Sequence, residues 1–143
     1  MTNTQANTAV VARLWDEAFN DGSLEVLPEL VSEEFVNFGS VTNGPELLAT
    51  LIQDQRSAFP DMHFTPVQVI AADDWVLTRT RWTGTFTAPF SFIGLAGVEP
   101  TGLSFDVQHV HAFRLAEGKI VEHWAVRDDL TMHNQLLNRS RYA

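Results

Sequence analysis

The chain contains no cysteine, which excludes disulfides, thiolate nucleophiles and cysteine-held metal ions before any fold is considered. Lysine occurs once, as Lys119 beside Gly118 in a short turn, and this argues against Schiff-base chemistry. Positive charge is scarce: 9 Lys plus Arg stand against 18 Asp plus Glu, and the formal charge of −9 repels phosphate backbones and anionic membrane surfaces. No apolar run reaches the ~18 residues of a membrane-spanning helix. The start, MTNTQANTAVVARLWDEAF, lacks the basic residues and apolar stretch of a secretion signal. A soluble, cytoplasmic protein that binds neither nucleic acid nor membrane is the expectation. There is also no glycine-rich phosphate loop, no internal repeat and no serine in a nucleophile elbow, so nucleotide binding and acyl-enzyme chemistry lack a basis.

What is present fits one domain spanning residues 1–143, with 45% hydrophobic residues to build a core. Val11, Leu14, Trp15, Ala18 and Phe19 form one apolar stripe at helical spacing, capped by Asn7 or Thr8 and stopped at Asp21-Gly22. LEVLPELVSEEFV reads as a helical turn or two interrupted at Pro28, before the chain turns around Gly39 and Gly44. Pro45 opens a third helix through Leu48, Leu51, Ile52 and Phe59, ending before Pro60. The period then changes. HFTPVQVIAA, VLTRTRWTGTF, GLSFDVQHVHAFRL and IVEHWAV alternate as four strands, and DDLTMHNQLLNRS closes with a short helix. Helices first and an antiparallel sheet afterwards is an α+β order. The segment TAPFSFIGLAGVEP, residues 87–100, is long and apolar enough to rim a pocket between helix and curved sheet.

The polar residues of the last two strands carry the candidate chemistry. His109 and His111 share a strand face, as do His123, Ala125 and Arg127 on the next strand, so two strands present imidazoles to one cavity. His-x-His is also a metal-ligand spacing, with His123 as a third nitrogen, but no carboxylate stands at a supporting spacing and no metal is expected. A histidine acid–base pair is the stronger reading, because imidazole titrates near ~6.5; the alternative is histidines that merely fill a polar face. Asp129 reads as a helix cap, whereas Asp128 beside Arg127 is either a cap or a base. Asn37 is a turn former or a donor to a substrate carbonyl, and Trp15 is core or cavity wall. Arg79 and Arg81 belong to a solvated or dimer-facing edge.

Taken together, WDEAFNDGSLEVLPELVSEEFVNFG, NGPE, AFPDMHF, GVEPTG, HAFRLAEGKIVEHWAVRDDL and QLL resemble the SnoaL-like polyketide cyclases of the nuclear-transport-factor-2-like superfamily. The pieces run from about Trp15 to Leu137. The resemblance implies a cone-shaped α+β barrel with one deep apolar pocket, no cofactor, and pairing into a homodimer through the outer sheet face. It implies lyase- or isomerase-type chemistry: a base removes a proton between carbonyls of a small hydrophobic polyketide ester, and the enolate closes a ring by aldol addition. His111 matches the family's assisting histidine and Asn37 a polar position, while Ala125 stands where the characterised cyclases carry their catalytic aspartate. The expected catalytic residues are therefore His111, His123 and Asp128, with Asn37, Arg127, Trp15 and His109 binding substrate. Two rivals accompany this reading. Asp106, Arg127 and Asp128 supply the residue types of a hydratase or epoxide hydrolase of the limonene-epoxide-hydrolase kind, and Ala125 favours a non-catalytic dimer that binds a hydrophobic ligand.

Overall fold

Helix α1 (Asn3–Arg13) starts earlier than the apolar stripe suggests. Thr2 caps it, accepting from the Gln5 amide while the Gln5 side chain accepts from the Thr2 N–H, a reciprocal capping box. The expected caps, Asn7 and Thr8, lie inside the helix. The computed structural model describes residues 2–40 and 42–139. Past Arg13 the helix widens into a π-helical segment, Leu14–Asn20, and the whole stripe Val11, Leu14, Trp15, Ala18 and Phe19 is buried. Its open carbonyls at Phe19 and Asn20 accept from the Arg56 guanidinium at 2.9 and 2.6 Å. Gly22 then reverses the chain at φ +72°, where an added Cβ would lie 2.7 Å from Arg56 Nε.

A 3-10 turn (Leu24–Val26) leads into helix α2 (Leu27–Leu30). Pro28 sits in the first turn of α2, where a missing N–H costs nothing, so it starts this helix and does not interrupt it. Strand β1 (Val31–Asn37) follows, so the second half of LEVLPELVSEEFV, expected to be helical, is extended. Its inward residues Val31, Phe35 and Asn37 do not alternate cleanly, because pairing slips between Val31 and Val36. Helix α3 (Gly44–Ala58) buries Pro45, Leu48, Leu51, Ile52 and Ala58 and ends before Pro60 as expected.

The four expected strands are β2 (His63–Ala72), β3 (Trp75–Thr85), β4 (Ser104–Ala116) and β5 (Lys119–Arg127). They pair antiparallel in succession, and β1 adds to β5 in parallel, giving the order β1-β5-β4-β3-β2. The expected all-antiparallel sheet is thus a mixed sheet with one parallel edge. Asp73 at φ 53° turns the β2–β3 hairpin; Glu117 and Gly118, at φ 52° and 79°, turn the β4–β5 hairpin, as a tight right-twisted connection requires. The connection between β3 and β4 folds inward, burying Phe86, Phe90 and Leu95, and His133 meets the Ile93 carbonyl. Helix α4 (Asp129–Leu136) closes the chain over β4 with Met132 and Leu136 buried; Ser140, the end of the expected closing segment, lies outside the described residues.

These elements make the expected α+β architecture: helices packed on a curved sheet, one core between them, and a hollow at the β4–β5 side of it. Each large apolar side chain that the core fully buries contributes about 1.5–3 kcal/mol relative to exposure. Among the described residues no helix is long and apolar enough to cross a membrane.

Candidate active site

The burial of β4 alternates without a break, so His109, His111 and Phe113 share its inner face. Across the ladder they meet Arg127, Ala125 and His123 in turn. On β5 the pairing slips between Arg114 and Leu115, and this extra residue lets Ile120 point inward together with His123. Asn37, at the end of β1, pairs with His123 from the other side. Three strands therefore bring Asn37, His123 and His111 into one line.

Their hydrogen bonds settle which atom carries each proton. The Gly39 amide donates to Asn37 Oδ1 at 2.9 Å, and Asn37 Nδ2 lies 2.9 Å from Thr42 Oγ1 and 3.2 Å from Ser40 Oγ. Of the two side-chain amide atoms of Asn37 only the oxygen accepts from an N–H, so its orientation is fixed. His123 Nδ1, 2.7 Å from that same oxygen, must donate to it. A neutral His123 then accepts at Nε2, and His111 Nδ1, 2.8 Å away, is the donor. His111 Nε2 is left with a lone pair, and it is buried with no partner. Gly39 permits this arrangement, since a Cβ there would stand 2.7 Å from His123 Cε1 and 3.2 Å from the Ala125 methyl.

All three imidazoles are held neutral. Burial pushes His109 and His123 down to about 4, with Arg127 adding to the effect on both, while Asp129 opposes it at His109. Burial holds His111 well below the ordinary histidine value, helped by the neighbouring His123, His109 and Arg127. Aromatic rings enclose the pair: Trp15 meets His111 edge-on at 4.8 Å and Phe113 lies 4.8 Å from His123.

The histidines form part of the wall of a cavity of ≈290 Å³, which Leu14, Trp15, Phe35, Leu48 and Phe64 also line. Phe90, Phe92 and Ile93 of the β3–β4 connection join that wall, as expected of a rim. Among the described residues Arg127 is the one charged side chain lining it, and no carboxylate does. Arg127 donates to the Gly39 carbonyl and, at 3.3 and 3.4 Å, to Asp129.

The structure thus gathers His109, His111, His123, Asn37, Arg127 and Trp15 at one cavity, and it leaves Asp128 out. Asp128 caps α4, accepting from the Thr131 amide at 3.1 Å, while Asp129, expected as the cap, pairs with Arg127. Asp128 thus takes the first of its two expected roles, the cap, and Asp129 pairs with Arg127 in place of the capping expected of it. Asn37 holds His123 through its oxygen and gives its amide to neighbouring hydroxyls, so it is not placed as a donor to substrate. Asp106 pairs with Arg81 at 2.5 Å on the outer face, so the trio required for hydration is not assembled. Among the described residues no three His, Asp or Glu side chains come together as metal ligands; His111 and His123 use their facing nitrogens on each other. Gly39, Gln55 and Trp82 are among the wall residues that escaped the sequence reading. Gln55 had a visible signal, since it continues the stripe of Leu48, Leu51 and Ile52 as its one polar member.

The family model for the SnoaL-like polyketide cyclase matches residues 9–136. The chain belongs to that family. An aklanonic acid methyl ester cyclase of Streptomyces peucetius is 26% identical over 126 residues, covering 84% of this chain and 83% of the relative. The solved structure of IdmH from Streptomyces antibioticus is 32% identical with a TM-score of 0.74, covering 91% of this chain and 97% of that one. TsrD of Streptomyces laurentii, at 20% identity and TM-score 0.83, shares the fold over 95% of this chain and 98% of its own. Within this SnoaL-like frame, Ala125 lies across the ladder from His111 and lines the cavity. The position where the resemblance puts an aspartate therefore faces the pocket, and here it offers a methyl group.

Proposed function

We propose that this SnoaL-like protein is a cofactor-independent enzyme that closes a ring in a small, apolar polyketide-type ester by intramolecular aldol addition, with His111 as its base. One observation carries the reading: the Asn37–His123–His111 chain leaves a lone pair on the buried Nε2 of His111, a wall residue of a cavity that no carboxylate lines among the described residues. A proton between two carbonyls is acidic because the anion is delocalised, so a single positioned base suffices. His111 Nε2 takes that proton, and the imidazolium is steadied through Nδ1–H by His123, itself anchored by Asn37. A neutral base of low proton affinity works here because the enolate forms beside it, and the ion pair attracts strongly in a poorly polar cavity. The enolate carbon then bonds to a carbonyl carbon of the same molecule. The resulting alkoxide recovers the proton from His111, and the product is an isomer of the substrate. Arg127, at the cavity wall, steadies the anion.

The test uses a β-keto ester in heavy water. Proton–deuterium exchange at the carbon between the carbonyls is expected with the native protein and is expected to fall to background in His111→Ala. Exchange that survives this change overturns the assignment. The missing aspartate at 125 supports a second reading, a ligand-binding protein without catalysis, and that reading gains if the native protein binds the ester without exchanging it. A homodimer through the outer sheet face belongs to the same proposal, supported by exposed Val110, Trp124 and Val126 on β4 and β5. Light scattering at micromolar concentration checks it, and a monomer there counts against it.

A further inference from the structure

The first turn of α3 breaks a local rule. Its N-cap is Asn43, a residue type that ordinarily accepts from the amides two or three positions on, yet among the described residues no side chain caps this helix. Asn43 Oδ1 accepts instead from the backbone N–H of Asn37, at 2.9 Å. Helix capping thus gives way to holding the backbone of one buried residue beside the histidines, and local rules are broken in this way at functional sites.

The side chain of Asn37 is held as fully as its backbone. Its oxygen accepts from the Gly39 amide, and its two amide hydrogens go to Thr42 Oγ1 at 2.9 Å and Ser40 Oγ at 3.2 Å. Those hydroxyls lie 2.7 Å apart, so one of their two hydrogens bridges the pair and one is left to give. As the amide stands, the pair accepts both of its N–H groups. Turned over, its oxygen would receive one hydrogen at most from the same pair, and its NH2 would face the Gly39 N–H. Thr42 is 6% exposed, so water does not make up the difference.

The direction of this one amide decides where the imidazole protons lie. Turned over, Asn37 would donate to His123 Nδ1, His123 Nε2 would donate to His111 Nδ1, and His111 Nε2 would carry a hydrogen in place of its lone pair. Two hydrogen bonds would still join the three side chains, and the base would be gone.

We propose that Thr42 and Asn43 are positioning residues: Asn43 sets the place of Asn37, Thr42 sets the direction of its amide, and together they keep His123 and His111 in the Nδ1–H tautomer. Neither residue lines the cavity, so neither acts on a substrate directly. The effect on turnover rests on His111 as the base, whereas the tautomers are read without turnover.

Nitrogen-15 NMR of histidine-labelled protein near neutral pH tells a protonated ring nitrogen from a bare one. In the native protein Nδ1 of both His111 and His123 is expected to carry the hydrogen. Thr42→Val keeps the shape and removes the hydroxyl. It is expected to move part of the population to Nε2–H and to lower kcat for exchange of the β-keto ester about tenfold, with KM changed less than about twofold. Asn43→Ala is expected to act in the same sense, by about threefold. Thr42→Ser and Asn43→Asp keep the hydroxyl and the acceptor, and are expected to restore the native tautomers and rate. A merely structural role lowers the melting temperature and leaves tautomers and kcat unmoved; that result overturns the proposal, and so does a failure of Thr42→Ser to rescue. If Thr42→Val does not fold, Asn43→Ala decides on the same two readouts. Tautomers that follow Thr42 in a protein that exchanges no ester support this inference and sink the proton-transfer reading. Exchange that depends on His111 but ignores Thr42 and Asn43 does the reverse.

Discussion

His111 and Val110 are neighbours on β4, as His123 and Trp124 are on β5, yet each pair is divided between two environments. Inside, His111 is 6% exposed, bonded to His123, and neutral. Outside, Trp124 is 47% exposed, stacked on Phe38 at 4.1 Å and donating to Glu122, which pairs with Arg114 at 3.0 Å. Arg81 and Asp106 form a second exposed pair on the same face. The inner face has weak bases in fixed geometry, and the outer face has full charges in water. Since strand alternation alone separates them, the contrast teaches that burial, more than residue type, sets the reactivity of this sheet.

The comparison breaks most visibly if His111→Ala leaves activity intact. The expected loss in kcat/KM is about 10²–10⁴-fold, the usual contribution of a general base, while Arg81→Ala on the outer face is expected to change turnover less than about twofold. Next in size is Asn37→Leu. Removing the acceptor for His123 is expected to cost about 1.5–3 kcal/mol in the barrier, with KM nearly unchanged. Asn37→Asp sharpens the same point, because a carboxylate beside His123 raises its proton affinity. The acid limb of the pH–rate profile is expected to move to higher pH.

Stability should divide the two faces by pH. His109 and His123 titrate near 6.5 in the unfolded chain and at about 4 in the fold. Between these values the unfolded chain holds the extra protons, so their contribution is complete above about 6.5 and is lost as pH falls toward 4. Urea titrations are expected to show a slope of up to about 1.4 kcal/mol per pH unit for each histidine. Asp106 is held below the ordinary carboxylate range by Arg81, and Glu122 by Trp124 and Arg114, so their losses begin only below about pH 4.5. A profile that is flat from 6.5 to 4.5 contradicts the inner-face description. Gly39→Ala is a local version, in which a methyl 2.7 Å from His123 Cε1 is expected to cost about 1–3 kcal/mol in thermal melts. Smallest of all, breaking Arg81–Asp106 by Asp106→Asn is expected to cost at most about 1 kcal/mol, because both groups are half exposed.

Much of this was legible beforehand. The stripe from Val11 to Phe19, the helix after Pro45 and the alternation of β3 and β4 are periodic, and periodicity survives folding when one face must be buried. The same alternation placed His109 and His111 together, and His123 with Arg127. β1 escaped because its pairing is irregular and parallel, which leaves no clean pattern in seven residues. Asp128 stood open between cap and base, and Asp129 was expected as the cap, because adjacent carboxylates at a strand end have the same local chemistry; the fold makes Asp128 the cap and gives Asp129 to Arg127. The role of Asn37 was half seen: its polarity at a turn was evident, but its partner lies 86 positions away.

By itself the sequence determined the family, the run of helices before β2 to β5, the absence of thiol chemistry, and an alanine at position 125. The family follows from the likeness of whole segments to known relatives, the rest from composition and from residue order along the chain. Tertiary structure alone decided that Asn37, His123 and His111 form one chain, that Gly39 leaves room for it, and that Trp82 and Gln55 share its cavity. Hydrogen bonds only ångströms long join residues far apart in sequence. Their protons are assigned by the full set of partners, which exists only once β1, β4 and β5 lie side by side.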